Sequence, residues 1–243
     1  MEVHSMPFVN DTAIPKATNE YVCWIDIMGT KGKMENSVNT CAIFILKFHS
    51  AILAAKQKGC QIKLYPVMDG VYITSESSTD LQNALVHIYT ELGDLFLNEK
   101  TFHHKFLVKA SIAYGPVIHG SNIAKTVSNE FSNADDYKQS LLLGLPMIQA
   151  ITGEQSAPPF GVFIHESARA FCKSGEFPFA FKWWKWFLKS NTVGWTKQKT
   201  EQLAKDIEDY FNICEKLTIS LDYPLDRIKF HKNAAKEYFT EIT

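Results

Sequence analysis

Apolar and polar positions change period several times along the chain, and each change marks an element. Residues 21–28, YVCWIDIM, form an apolar, β-prone run with a single acid, which predicts a strand. From about residue 35 to 58, Val38, Cys41, Ile45, Phe48 and Ile52 recur at three- and four-residue spacing before Gly59, predicting a long helix. QIKLYPVMDGVYITS holds two β-prone runs joined by Asp69-Gly70, a dipeptide that tolerates the positive φ angles of a tight hairpin. Ser78, Thr79 and Asp80 offer capping oxygens to a helix whose Leu81, Leu85, Ile88, Leu92 and Leu95 form one stripe. A strand over about 105–114 bends at Gly115-Pro116 and continues through Val117-Ile118.

Residues 120–136 are polar and turn-rich and read as a mobile surface loop. A helical run near Tyr137 restarts at Gly144-Leu145-Pro146, then a strand over 160–164 and a short helix over 166–172 follow. This order predicts an α+β fold of ferredoxin-like type, a mixed, mostly antiparallel sheet with helices packed on it. Residues 1–19 read as a poorly ordered arm, 20–173 as the domain and 174–243 as a C-terminal aromatic and helical extension. In that extension, FKWWKWF favours covering a core or a dimer face over anchoring a membrane or stacking bases. The Lys- and Glu-rich helix over 197–216 reads as a solvated brace, with another helix over 225–239.

The composition, 46% hydrophobic and 21% charged over 243 residues, is that of a globular chain able to bury a core. A net charge of −1 supplies no field for non-specific nucleic-acid binding, so an anionic ligand needs a local site. Basic residues are nearly all lysine, with Arg169 and Arg227 the only arginines, so bidentate forks for phosphate are scarce. The five cysteines are scattered without a CxxC pair, which argues against a disulfide framework and a zinc site. His103, His104, His119 and His165 lack ligand-like spacing and read as surface or loop residues. No apolar run reaches the roughly 18 to 20 residues of a spanning helix and no signal sequence is evident, so a cytoplasmic location without membrane contact is expected.

The chemistry concentrates on two carboxylates. Period-two alternation sets Asp26 on the opposite strand face from Cys23, Ile25 and Ile27. Taken singly, Asp26 fits a solvated or turn-capping acid equally well, and Asp69 fits plain hairpin geometry. In combination, a ferredoxin-like sheet sets their strands side by side, and two converging carboxylates suit Mg2+ or Mn2+ and metal-assisted phosphoryl chemistry. The bend Gly29-Thr30-Lys31 then leads to a helix start whose N–H groups suit phosphate oxygens.

At these residues the sequence resembles the class III nucleotidyl cyclases. Asp26-Ile27-Met28-Gly29 is similar to their first metal motif, Met68-Asp69-Gly70 to their second, and SIAYGPVIHG at 111–120 to a third, over about residues 18–170 in all. Where purine cyclases carry a base-reading Lys or Glu, this chain has Tyr65. With Gly144 aligned on the motif glycine, the base partner, Asn and Arg of the family fall on Leu141, Ile148 and Thr152. In these departures the chain is most similar to the pyrimidine (uridylate and cytidylate) cyclases of Pycsar antiphage defence. A phenol can stack on or hydrogen-bond a small base without a fixed charge, although Tyr65 could equally pack on the sheet.

The resemblance implies a uridylate cyclase that converts UTP to 3′,5′-cyclic UMP and pyrophosphate, with CTP as the alternative substrate. It implies two Mn2+ or Mg2+ ions held by Asp26, Asp69 and the carbonyl of Ile27, one acidifying the ribose 3′-hydroxyl and the other holding the triphosphate. Tyr65 would meet the base, and Gly29, Thr30 and Lys31 the phosphates. Lys31, Lys109 or Arg169 would replace the missing Arg, though the two lysines also suit solvated surface. A homodimer with active sites at its interface follows, as does a separate cyclic-nucleotide-binding effector that reads the product. A non-catalytic cyclase-like module and a palm-type nucleotidyltransferase are the other readings.

Overall fold

A computed structural model describes residues 9–30, 34, 37–171, 173–176, 179–219 and 221–240. Of the expected arm 1–19, residues 1–8 lie outside the described residues, while Asp11–Ala13 form a 3-10 turn and Thr18 already begins the first strand.

The first unit is β1 (Thr18–Ile27), α1 (Val38–Gln57), β2 (Lys63–Val67), β3 (Gly70–Ser75), α2 (Ser78–Asn98) and β4 (Val108–His119). After two short turns come α3 (Asp135–Ser140), β5 (Leu142–Leu143), α4 (Leu145–Glu154), β6 (Val162–Ile164) and α5 (Glu166–Ala170). The chain ends with β7 (Trp183–Trp184), a 3-10 stretch (Trp186–Val193), α6 (Lys197–Cys214) and α7 (Leu225–Phe239). The strands form one sheet in the order β2-β3-β1-β4-β6-β7, with β5 paired to β4. Every pairing is antiparallel except that of β4 with β6. This is the expected α+β architecture, with the split βαβ order of a ferredoxin-like sheet at its centre.

β1 is buried on both faces, which explains its nearly unbroken apolar run. Tyr21, Cys23, Ile25 and Ile27 join the main core with Phe44, Phe48 and Ile52 of α1 and Leu81, Leu85 and Ile88 of α2. Val22 and Trp24 join a second cluster with Tyr65, Tyr72 and Ala150 of α4. Ser37 and Ser77 cap α1 and α2, so the α2 cap sits one residue before the Ser-Thr-Asp run. By length and composition α1 could cross a membrane. Cys41, Phe44, Phe48, Ala51, Ile52 and Ala55 nevertheless bury one side of it in the fold.

Two local expectations change. β4 runs through Gly115-Pro116 without a break, with Thr18 to Ile27 paired to Val117 through Val108. At the hairpin the positive φ belongs to Met68 (55°), in a two-residue turn closed by the Val67–Gly70 pair. Gly70 is needed for another reason: a Cβ there would lie 2.3 Å from the Trp24 ring.

Residues 179–239 complete the same core. β7 extends the sheet at its edge, and the Trp186 indole N–H donates to the Phe160 carbonyl at 2.8 Å. Trp186 also stacks on Tyr89 of α2 at 5.4 Å, and the Tyr238 hydroxyl donates to the Trp184 carbonyl at 2.7 Å. Trp186 and Phe187 of the aromatic segment are therefore core residues, Trp183 and Trp184 are half-buried, and Phe181 is exposed. Nor is α6 only solvated, since Leu203, Ile207 and Phe211 are fully buried.

Ending the chain after residue 173 would remove Trp186, Trp195, Phe211 and Tyr238 from around Tyr89, Phe96 and Phe160. At about 2 kcal/mol per large apolar side chain, that loss is comparable to the total stability of a domain. The shortened chain is expected to aggregate or to melt without cooperativity by circular dichroism. A soluble, cooperatively melting product would show that the first 173 residues form an independent unit.

Candidate active site

The register of β1 between its neighbours builds the site. Asp26 lies opposite Gly70 on β3 and Lys109 on β4, and Asp69 immediately precedes Gly70 in the hairpin turn. The backbone N–H of Ile27 donates to Asp26 Oδ1 at 2.9 Å and approaches the Asp69 carbonyl at 3.4 Å. Gly29 (φ 73°) turns the chain in the left-handed region, and a Cβ there would meet nothing within 4 Å. The turn delivers Thr30, whose hydroxyl donates to Asp69 Oδ2. Thus Asp26, Ile27, Asp69, Gly29 and Thr30 come together at one end of the sheet. Lys31, the remaining residue of that bend, lies outside the described residues.

Burial first, then the charges of Asp69 and Glu154, push the Asp26 carboxyl up to about 7. An acid held there by a neighbouring acid is an incompletely neutralised anionic pair, which a divalent cation would relieve. Among the described residues no third His, Cys, Asp or Glu converges to complete a protein cage. Two carboxylates and a backbone carbonyl fit Mg2+ or Mn2+, which take few protein ligands and fill their shell with water and phosphate oxygens.

Asp26, Thr30, Lys109 and Glu154 line a cleft of about 800 Å3, whose far wall is the segment 221–231 around the start of α7. Lys109 is buried rather than solvated, its ammonium 2.9 Å from Glu154 Oε1. Arg169 sits on α5 at 3.8 Å from Glu166 and does not line the cleft. The far wall brings in Arg227, Tyr223 and His231. Burial first, then the charges of Lys109 and Arg227, push His231 down to about 4, and its Nδ1 pairs with the Tyr223 hydroxyl. Sequence patterning did not reveal Glu154, Arg227 or His231, because each reaches the cleft by tertiary packing from a distant helix. The scarcity of arginine was the one available signal.

Tyr65 stands apart from this end of the sheet. It is buried in the second cluster and its hydroxyl is 2.5 Å from His119 Nδ1, while His119 Nε2 is 2.7 Å from Glu20 Oε1. Burial first, then Glu20, push the Tyr65 phenol up to about 12, so it keeps its proton beside His119. Burial works against the Glu20 carboxylate, yet hydrogen bonds from His119 and Thr18 hold it below the usual range. The expectation for His119 is therefore overturned: it is 1% exposed and bridges two other buried polar groups. Only strand alternation could have hinted at this, by setting His119 on the face of Ser111 and Lys109. His103 and His104 are exposed in a turn, and His165 caps α5.

No protein-family model matches the sequence, and no curated protein does either. Among solved structures, the chain is similar to a monomeric guanylyl cyclase domain of the RhoGC fusion protein from the aquatic fungus Blastocladiella emersonii. That alignment has 14% identity over 63% of this chain and 85% of that one, with a TM-score of 0.47. A guanylate cyclase domain of RhGC from Catenaria anguillulae, in complex with GTP, aligns at 12% identity over 63% and 81%, TM-score 0.46. A bacterial light-regulated adenylyl cyclase aligns at 17% identity over 43% and 57%, TM-score 0.39.

Two measurements probe this geometry. The Asp26 carboxyl titrates higher folded than unfolded, so unfolding releases a proton between about pH 4 and 7, and wild-type stability falls across that window. Asp26→Asn should therefore match wild type near pH 4 and exceed it near pH 8 by on the order of 1–2 kcal/mol, in melts with metal chelated. Added Mn2+ should raise the wild-type melting temperature and leave that of the variant unchanged. Tyr65→Phe strips the buried His119 Nδ1 of its partner and should cost about 1–3 kcal/mol in urea unfolding.

Proposed function

We propose that this chain is a nucleotidyl cyclase acting on a pyrimidine nucleoside triphosphate, converting UTP to 3′,5′-cyclic UMP and pyrophosphate. The observation that carries the reading is the meeting of Asp26 and Asp69 at the end of β1 and β3, beside a cleft of about 800 Å3. In the reaction the ribose 3′-hydroxyl attacks the α-phosphorus, the O3′–P bond forms and the bond to pyrophosphate breaks. Catalysis of such a displacement is chiefly positioning and charge neutralisation.

Asp26, Asp69 and the Ile27 carbonyl would hold Mg2+ or Mn2+, which when bound supply acidity for the attacking hydroxyl and neutralisation of the triphosphate. Thr30 orients Asp69 through its hydrogen bond, and the open space beside Gly29 lets a phosphate approach the backbone. Lys31 belongs to the same phosphate-binding bend. Glu154 holds the Lys109 ammonium beside Asp26, and the pair lines the cleft.

The base preference rests on the resemblance at Tyr65. The Tyr65 hydroxyl is engaged by His119 and its ring is buried, so the assignment to uracil, with cytosine as the alternative, has the resemblance alone behind it. A homodimer with shared sites is part of the proposal. It is supported by exposed apolar side chains at the hairpin tip, Val67 and Met68, and on α4, Leu145 and Ile148. A role in antiphage defence, with a cyclic-nucleotide-binding effector downstream in the cytoplasm, completes it. The second reading, a non-catalytic nucleotide-binding module, is favoured by the exposed Ile148 and Thr152 where purine cyclases carry Asn and Arg.

Incubating the purified protein with each of the four nucleoside triphosphates and Mn2+ should give cyclic UMP as the main product, with Asp26→Asn and Asp69→Asn each losing at least 100-fold. Cyclic CMP instead would transfer the assignment to CTP. Linear dinucleotides would point to a palm-type transferase. Nucleotide binding without any product would leave the non-catalytic module.

A further inference from the structure

The cations of the cleft differ in what they are free to do. Lys109 is buried and committed to Glu154 at 2.9 Å. His231 is pushed down by burial and by its cationic neighbours, and pairs with Tyr223. Arg169 lies elsewhere, against Glu166. Arg227, in the first turn of α7, lines the same cleft as Asp26 and makes no ion pair or hydrogen bond with another described residue.

A guanidinium that spends none of its N–H donors on a described residue, lining the same cleft as a carboxylate site, is unusual in a chain with only two arginines. It has not been neutralised by Asp26, although both line one cavity. Its planar fork matches two oxygens of a phosphate, and guanidinium loses less on leaving water than ammonium does. Arg227 is exposed, so no packing requirement accounts for its place.

We infer that Arg227 is a substrate-binding residue that grips the polyphosphate of the nucleotide from the α7 side, opposite the carboxylates. The inference rests on the reading of this cleft as a nucleoside triphosphate site and assigns it a second wall. Asp26 and Asp69 hold the metal-facing side of the phosphate chain, and Arg227 holds the other. The contact strengthens as negative charge gathers on the departing pyrophosphate, so it acts in the reaction as well as in binding. The segment 221–231 thereby becomes part of the site rather than a cover for it.

The test is calorimetric titration of the full-length protein with the α,β-methylene analogue of UTP, and separately with UMP, both with Mn2+. Arg227→Ala should weaken the triphosphate analogue at least tenfold and UMP less than threefold, with Arg227→Lys intermediate for the analogue. Because Arg227 is exposed, the melting temperatures of these variants should match wild type. Equal affinity of wild type and Arg227→Ala for the analogue, or an equal loss for analogue and UMP, overturns the assignment of Arg227 alone. Failure of the wild-type protein to bind the analogue overturns the nucleotide reading and this assignment with it.

Discussion

The register in which β1 is clamped between β3 and β4 is the constraint on which the site depends. Side chains alternate along a strand, so a slip of one residue would carry Asp26 into the core and bring Ile25 or Ile27 to the cleft. Three features prevent the slip. The main core claims Tyr21, Cys23, Ile25 and Ile27, the Trp24 ring occupies the space that only a glycine at position 70 leaves open, and the hairpin closes in two residues. Two carboxylates are thereby held together against their repulsion, and the strands around them supply the rigidity.

The face of the sheet opposite α1 and α2 is unusual in carrying several buried polar groups, and the charged ones among them are paired. Lys109 meets Glu154, and Glu20 meets His119, which in turn meets Tyr65. Buried charges of this kind are stable only when paired, so these contacts divide the face into committed and uncommitted groups. Tyr65 falls among the committed, by its hydroxyl. The Asp26–Asp69 pair accepts hydrogen bonds from the Ile27 N–H and the Thr30 hydroxyl, but neither acid nor Arg227 has an ion-pair partner among the described residues.

Much of the sheet was legible from the chain. The hairpin at Asp69, the two long helices and the strand carrying Asp26 have strong local periodicity, and the ferredoxin-like order then sets β1 beside β3 without further information. Local periodicity cannot report whether the second face of a sheet is covered, so the burial of Lys109 and His119 was not legible. Nor could it report how β7, α6 and α7 return, because a Lys- and Glu-rich helix shows its solvent side in composition and its buried stripe of Leu203, Ile207 and Phe211 only in packing. The segment 221–231 illustrates this most clearly, as it meets a strand about 200 residues earlier in the chain.

That separation bears on when the site comes into being. Asp26 and Asp69 leave the ribosome well before the wall bearing Arg227 and His231, which lies more than 150 residues further along the chain. A chain emerging at the usual pace of about 5–20 residues per second holds its carboxylates for roughly ten seconds or more before the opposite wall exists. Assembly of the cleft thus follows formation of the core, since α7 docks through Ile228, Ala235, Tyr238 and Phe239 on groups that precede it in the chain. An unfinished copy carries both acids but not the chamber they serve.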